Sequence, residues 1–240
     1  MNAVAGGGTL LTFPALIGLG IPPLTANATS TVALWPGSAS SFWGYRRELA
    51  GARRWAIGFA LPSLLGGAVG ALLLLATDEK TFRDLVPWLV LGATVLFMGQ
   101  APLNAWLRRR PATAEEGDGT DRFPKPQLLF FQFLVGMYGG YFGAGAGILM
   151  LAALGLMGLT NIHRMNGLKN WGGLCFNAVA AITFAFSGLV NWPVALSMAV
   201  GAISGGYLGS RMAQRVSQQT VRMMVVVIGL GSGVWLLLNH

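Results

Sequence analysis

One face of a helix brings together most of the polar chemistry of this chain. Asn166, Asn170, Gly173 and Asn177 recur at helical spacing and share that face, and Lys169 adjoins it. A second stretch holds Asn27, Thr31, Leu34 and Ser38 in the same pattern, with Ser30 where the first has Lys169. Both stretches lie in apolar surroundings, where polar side chains are costly and face either a cavity or another helix. Two glycine clusters stand nearby, Gly6-Gly7-Gly8 and Gly143-Ala144-Gly145-Ala146-Gly147, each just before a short apolar run. Free backbone N–H groups at a helix N-terminus attract anions, and glycine lets a ligand approach the backbone. Amides, hydroxyls, backbone N–H groups and one ammonium form a donor-rich set suited to a small anion. The expected substrate-binding residues are Gly6, Gly7, Gly8, Asn27, Ser30, Thr31, Gly143, Gly145, Gly147, Asn166, Lys169, Asn170 and Asn177. The competing readings are close helix packing through the glycines, interhelical hydrogen bonds for the amides, and a Lys169 that reaches the cytoplasmic interface.

Other chemistries lack their residues. The eight carboxylates, Glu48, Asp78, Glu79, Asp84, Glu115, Glu116, Asp118 and Asp121, fall in loops or at the ends of apolar runs. A carboxylate proton relay or cation site within the runs is therefore not expected. Cys175 is the single cysteine, and His163 and His240 have no partner ligands, so no metal site, cofactor or nucleophile–base pair can be assembled. The expectation is a protein that is not an enzyme. A net charge of +8 suggests nucleic acid, but the basic residues sit in short loops between apolar runs, which is an orientation signal of membrane proteins.

The elements that must position these groups are apolar helices. Charged residues are 10% of the chain, against about 25% in a soluble protein. Trp55–Ala76, Leu85–Ala101 and Val221–Leu238 each approach the roughly 20 residues that span a bilayer core. The chain also repeats itself. Asn27 and Asn166 are 139 positions apart (166 − 27), and the same offset pairs Gly6 and Gly8 with Gly145 and Gly147. It also pairs Gly66, Gly67 and Gly70 with Gly205, Gly206 and Gly209, and Gly92 with Gly231. For these mid-helix glycines, packing is the expected role. The repeats occupy 1–107 and 126–240, joined by a charged, proline-containing linker at 108–125.

In the second copy, Leu128–Tyr138 and Ile148–Leu159 read as short helices, separated by a Gly139–Gly147 stretch too rich in glycine to stay helical. Three full-length helices follow, at about 166–187, 192–211 and 221–238. The first copy matches at about 9–20, 27–44, 55–76 and 85–106, without a counterpart of Leu128–Tyr138. Met1 aligns with Gly140, so the natural reading frame is expected to begin about one short helix earlier. Each short helix reaches roughly half of the hydrocarbon core, so the pair is either one broken span or a re-entrant hairpin. A hairpin places fourteen Lys and Arg on one side and two on the other; a broken span gives nine and seven. The positive-inside rule selects the hairpin. The fold expected is an all-α integral membrane protein of two inverted repeats, each with a re-entrant short pair and three crossings. The linker is then cytoplasmic and the C-terminus outside. Trp55, Trp88, Trp106 and Trp192 are expected as interfacial anchors.

The runs AGGGTLLTFPALIGLGIPP (5–23), ANATST (26–31), GYRREL (44–49), MNGLKN (165–170), SGLVNWPVAL (187–196) and GGYLGSRMA (205–213) resemble the TauE/SafE family of sulfite exporters, also called the 4-toluene sulfonate uptake permease family. The resemblance covers all but the linker and the unmatched helix, which makes the chain similar to an N-terminally truncated member. It implies a secondary transporter in the bacterial inner membrane for sulfite, sulfonates or related organosulfur anions. The site would lie between the two copies. Expected partners are a small anion, the lipid bilayer and a second copy in a homodimer, with no nucleic acid. The alternative from another class is a non-transporting membrane scaffold or assembly protein, with no cavity between the hairpins.

Overall fold

The computed structural model describes residues 8–49, 52–109, 123–156, 159, 161–212 and 218–238. Gly6, Gly7, His240 and most of the linker lie outside these. The described residues form nine α-helices and one 3-10 turn, with no strand. The helices are α1 (Gly8–Gly18), α2 (Pro23–Tyr45), α3 (Arg53–Ala76), α4 (Glu79–Arg109), α5 (Pro126–Tyr141), α6 (Ala146–Leu156), α7 (Ile162–Ala185), α8 (Trp192–Met212) and α9 (Gln218–Leu238). The duplication is visible in their limits. The helices that start at Pro23, Arg53 and Glu79 have counterparts that start at Ile162, Trp192 and Gln218, each 139 positions on (162 − 23, 192 − 53, 218 − 79). α1 corresponds to α6, and α5 has no equivalent among the described residues.

Local signals fix several starts. Pro23 opens α2, where a missing N–H is harmless. Asn161 caps α7 by accepting from the amides of His163 and Arg164. Asp78, just before α4, accepts from the Thr81 hydroxyl at 2.6 Å and the Thr81 amide at 2.9 Å. These bonds hold its carboxyl below the usual carboxylate range. Prolines 14, 36, 62, 87 and 102 sit inside helices, which neighbouring helices make tolerable in an apolar bundle.

α3 and the Glu79–Leu103 part of α4 are long and apolar enough to cross a bilayer. Large apolar side chains such as Leu61, Leu65, Leu72, Val95 and Val227 face outward from the bundle.

The course of the helices follows from their contacts. Along α3, Gly58 meets Pro124, Ser63 meets Gly136, and Gly70 meets Met137 and Tyr141, so α3 and α5 run in the same direction. Ala56 accepts from the Trp171 indole at 2.7 Å and Gly67 abuts Phe176, so α7 runs that way too. α5 and α7 thus begin at the same end of the bundle, and α6, between them, leads back to it. Equivalent helices run oppositely. Phe42 packs on Trp171 at 5.0 Å, while Thr29 near the start of α2 accepts from the amide of Asn191 beyond the end of α7. Gly229 meets Thr94 and Gly233 meets Leu91, so α4 and α9 are antiparallel as well.

Three expectations are corrected. The Gly139–Gly147 stretch is not wholly irregular: α5 continues through Gly139 and Gly140 to Tyr141. Glycine stays helical there because the helices approach so closely that a Cβ on Gly140 would lie 2.3 Å from the Gly67 carbonyl oxygen. α4 continues to Arg109, past the start expected for the linker. Trp55 is buried and stacked on Phe59, whereas Trp88, Trp106 and Trp192 are exposed.

Candidate functional site

Between α5 and α6 the helix breaks only at Phe142–Gly145. Gly143 and Gly145 take φ near +83° and +82°, the left-handed region that an L side chain avoids. The turn is braced from within, since the Tyr138 hydroxyl donates to the Ala144 carbonyl at 2.6 Å. It is braced from the other copy by the Asn27 side-chain amide, which donates to the Tyr141 carbonyl at 2.8 Å. That carbonyl is the last of α5 and has no partner further along the helix. Edge-on packing of Phe142 against Phe13 completes the seat.

This turn closes one side of a cleft of about 40 Å³, lined by Thr9, Thr31, Leu34, Ser38, Phe142, Gly143 and Asn177. The volume is that of about three water-sized spheres, the class of a small ion. Both halves of the chain contribute: the start of α1 and one face of α2 from the first, the α5–α6 turn and α7 from the second. The polar groups around it are two threonine hydroxyls, a serine hydroxyl, an asparagine amide and backbone. Thr31 returns its hydroxyl to the Asn27 carbonyl and Asn177 its amide to the Gly173 carbonyl, bonds within one helix that a ligand can compete for. No carboxylate lines the cleft. Among the described residues no cluster of His, Cys, Asp or Glu could hold a metal ion.

The expected site residues divide into groups. Thr31, Gly143 and Asn177 line the cleft, and Gly8 is buried at the first position of α1, next to Thr9. Asn27 and Ser30 are fully buried behind it. Ser30 shares a 2.7 Å hydrogen bond with Thr12, which ties α2 to α1. Asn166 donates to the Ile162 carbonyl of its own helix. Lys169, Asn170, Gly145 and Gly147 do not line the cleft. Lys169 is 8% exposed, and its stem lies against Gly147: a Cβ there would be 3.3 Å from the Lys169 Cδ. Three buried side-chain atoms among the described residues have no hydrogen-bond partner, and two belong to the polar stripes, Asn27 Oδ1 and Asn170 Nδ2. Thr9 and Phe142 were not anticipated. Thr9 is matched by Ile148 in the other copy, so a search for features shared by the repeats passes over it.

Comparison with known proteins agrees with this architecture. The profile of the sulfite exporter TauE/SafE family matches residues 1–236. A "Probable membrane transporter protein" of Haemophilus influenzae is 30% identical over 233 residues, which cover 95% of this chain and 86% of that protein. The "Probable membrane transporter protein YfcA" of Escherichia coli K12 is 29% identical over 236 residues, covering 95% and 81%. The "Probable membrane transporter protein ORF9" of a Sinorhizobium species is 29% identical over 244 residues, covering 99% and 87%. No solved structure matches the chain. A match over nearly the whole length, together with a duplicated all-helical bundle, places the chain in the sulfite exporter TauE/SafE family of membrane transporters.

Proposed function

We propose that the protein carries a small anion, of the sulfite or sulfonate class, across the bacterial inner membrane by alternating access between two inverted repeats. The observation that carries this reading is the cleft. It lies where the copies meet, is built by both, and is faced by hydroxyls, an amide and backbone, with no acid to repel a negative charge. The antiparallel course of α2 and α7, and of α4 and α9, supports inversion, since these are equivalent helices. The return of α6 to the end where α5 begins supports a re-entrant hairpin, and with it three full crossings per copy. Inverted repeats with broken helices at their interface are the usual frame for a site reached alternately from either side. Thr31, Ser38, Asn177 and Gly143 then meet the anionic head, while Asn27 and Ser30 hold the wall. The basic loops and the linker lie on the cytoplasmic side and the C-terminus outside. With the inside negative, an uncoupled monovalent anion gains about 2.3 kcal/mol per 100 mV on leaving, which favours export.

The test is flux. Purified protein in proteoliposomes is expected to release radiolabelled sulfite down an imposed gradient, faster than protein-free liposomes. Asn177→Leu and Thr31→Val should each reduce the rate at least tenfold without lowering the amount of reconstituted protein. Wild-type protein that moves sulfite and methanesulfonate no faster than protein-free liposomes would refute the reading.

A further inference from the structure

The repeat gives the wall of the cleft an equivalent that the transport mechanism above does not use. Gly8, Ser30 and Thr31 of the first copy correspond to Gly147, Lys169 and Asn170 of the second. In the first copy the Ser30 hydroxyl is satisfied by Thr12. The position equivalent to Thr12 is Leu151, which offers Lys169 nothing to bond. Lys169 is more than nine-tenths buried and has neither a hydrogen bond nor an ion pair among the described residues. Its stem crosses Gly147 in the first turn of α6. There the amides of Ala146, Ile148 and Leu149 bond back to Gly143 and Gly145, whereas the Gly147 amide makes no such bond. Asn170, the next residue, has a buried side-chain amide nitrogen without a partner. Lys169 and two N–H donors, one on Gly147 at the N-terminal end of the eleven-residue α6 and one on the residue that follows Lys169, are thus left without acceptors, and that helix end itself attracts negative charge.

We infer that Lys169, the Gly147 amide and the Asn170 side chain form a second anion-holding place, equivalent in the repeat to the wall of the cleft but charged. The ligand is a small oxyanion, because the groups that would hold it are two donors and a cation, and a largely buried cationic side chain is stabilised by an anionic partner. The inference rests on the anion-transport reading and adds a second station to the path. An ion held at one repeat's hairpin would have an equivalent seat at the other, and the two seats differ by one unit of charge.

Binding to the full chain in detergent tests it, by calorimetric titration with sodium sulfite at constant ionic strength, and with sodium chloride as control. Wild type is expected to show two binding events. Lys169→Met should abolish one of them and Asn177→Leu the other, while Lys169→Arg keeps both. Gly147→Ala serves if Lys169→Met fails to fold, since its Cβ meets only the flexible lysine stem. It should weaken the same event at least tenfold. Wild-type stoichiometry and affinity in Lys169→Met or in Gly147→Ala overturn the second place and leave the cleft standing. A single wild-type event lost in both Lys169→Met and Asn177→Leu also overturns it, because Lys169 then belongs to the cleft. No sulfite binding by wild type would count against the transport reading itself.

Discussion

Residues of one type at equivalent places in the repeat do different work here. Asn27 reaches across to the Tyr141 carbonyl, 114 residues away in the chain, and closes the end of α5. Asn166, its equivalent, turns back on the Ile162 carbonyl four residues earlier in its own helix. That carbonyl lies within a helical turn and keeps its backbone partner whatever occupies 166. Removing Asn27 strands a carbonyl away from water, which costs about 1–3 kcal/mol. Removing Asn166 strands nothing, and a change of under about 0.5 kcal/mol is expected. Thermal unfolding in detergent should therefore show a clear loss for Asn27→Ala and almost none for Asn166→Ala; equal losses would refute the distinction. The sequence made these two residues equivalent and singled out both. It could not show which of them spans the copies, because that depends on α5, which has no equivalent among the described residues and whose last carbonyl Asn27 reaches and Asn166 does not.

At the scale of elements, α3 and α5 meet backbone to backbone at their glycines. A Cβ on Gly66 would lie 2.3 Å from the Phe133 carbonyl oxygen, and one on Gly70 would lie 2.0 Å from that of Met137. Backbone cannot yield as a side chain can, so Gly70→Ala must push the helices apart. The expected loss is about 1–3 kcal/mol. Gly92→Ala meets nothing within 4 Å and replaces a poor helix former, so a neutral change or a gain of up to about 1 kcal/mol is expected. Thermal melts of the two variants check this, and a Gly70→Ala protein as stable as wild type would mean that the seam is not tight. The packing role of Gly66, Gly67 and Gly70 was legible from their place inside long apolar runs. The helical state of Gly139 and Gly140 was not, because low helix propensity argued against it and only the contact with α3 and Phe176 reverses that. The burial of Trp55 was hidden for a similar reason. A tryptophan near the end of a run suits an interface, and nothing local announces that Phe59 and the neighbouring core cover it.

For the molecule as a whole, charge and geometry make the same demand by separate routes. The loop arginines and lysines ask for one cytoplasmic face, which needs an odd number of crossings between equivalent loops. The contacts between equivalent helices, Phe42 with Trp171 and Gly229 with Thr94, ask for opposite directions without any reference to charge. Together they predict where exposed residues lie in a cell. Lys80 follows α3, at the end opposite to Lys125 and His163, which precede α5 and open α7. All three side chains are exposed, so each accepts a cysteine with little disturbance. In a background with Cys175→Ser, intact cells treated with a membrane-impermeant maleimide should label Lys80→Cys, while Lys125→Cys and His163→Cys react only after lysis. Labelling of Lys125→Cys and His163→Cys in intact cells, with Lys80→Cys protected, would reverse the orientation and leave inversion intact. Labelling of Lys125→Cys but not His163→Cys would place the starts of α5 and α7 on opposite sides. The pair α5–α6 would then be a broken span, and the inverted arrangement would fall with it.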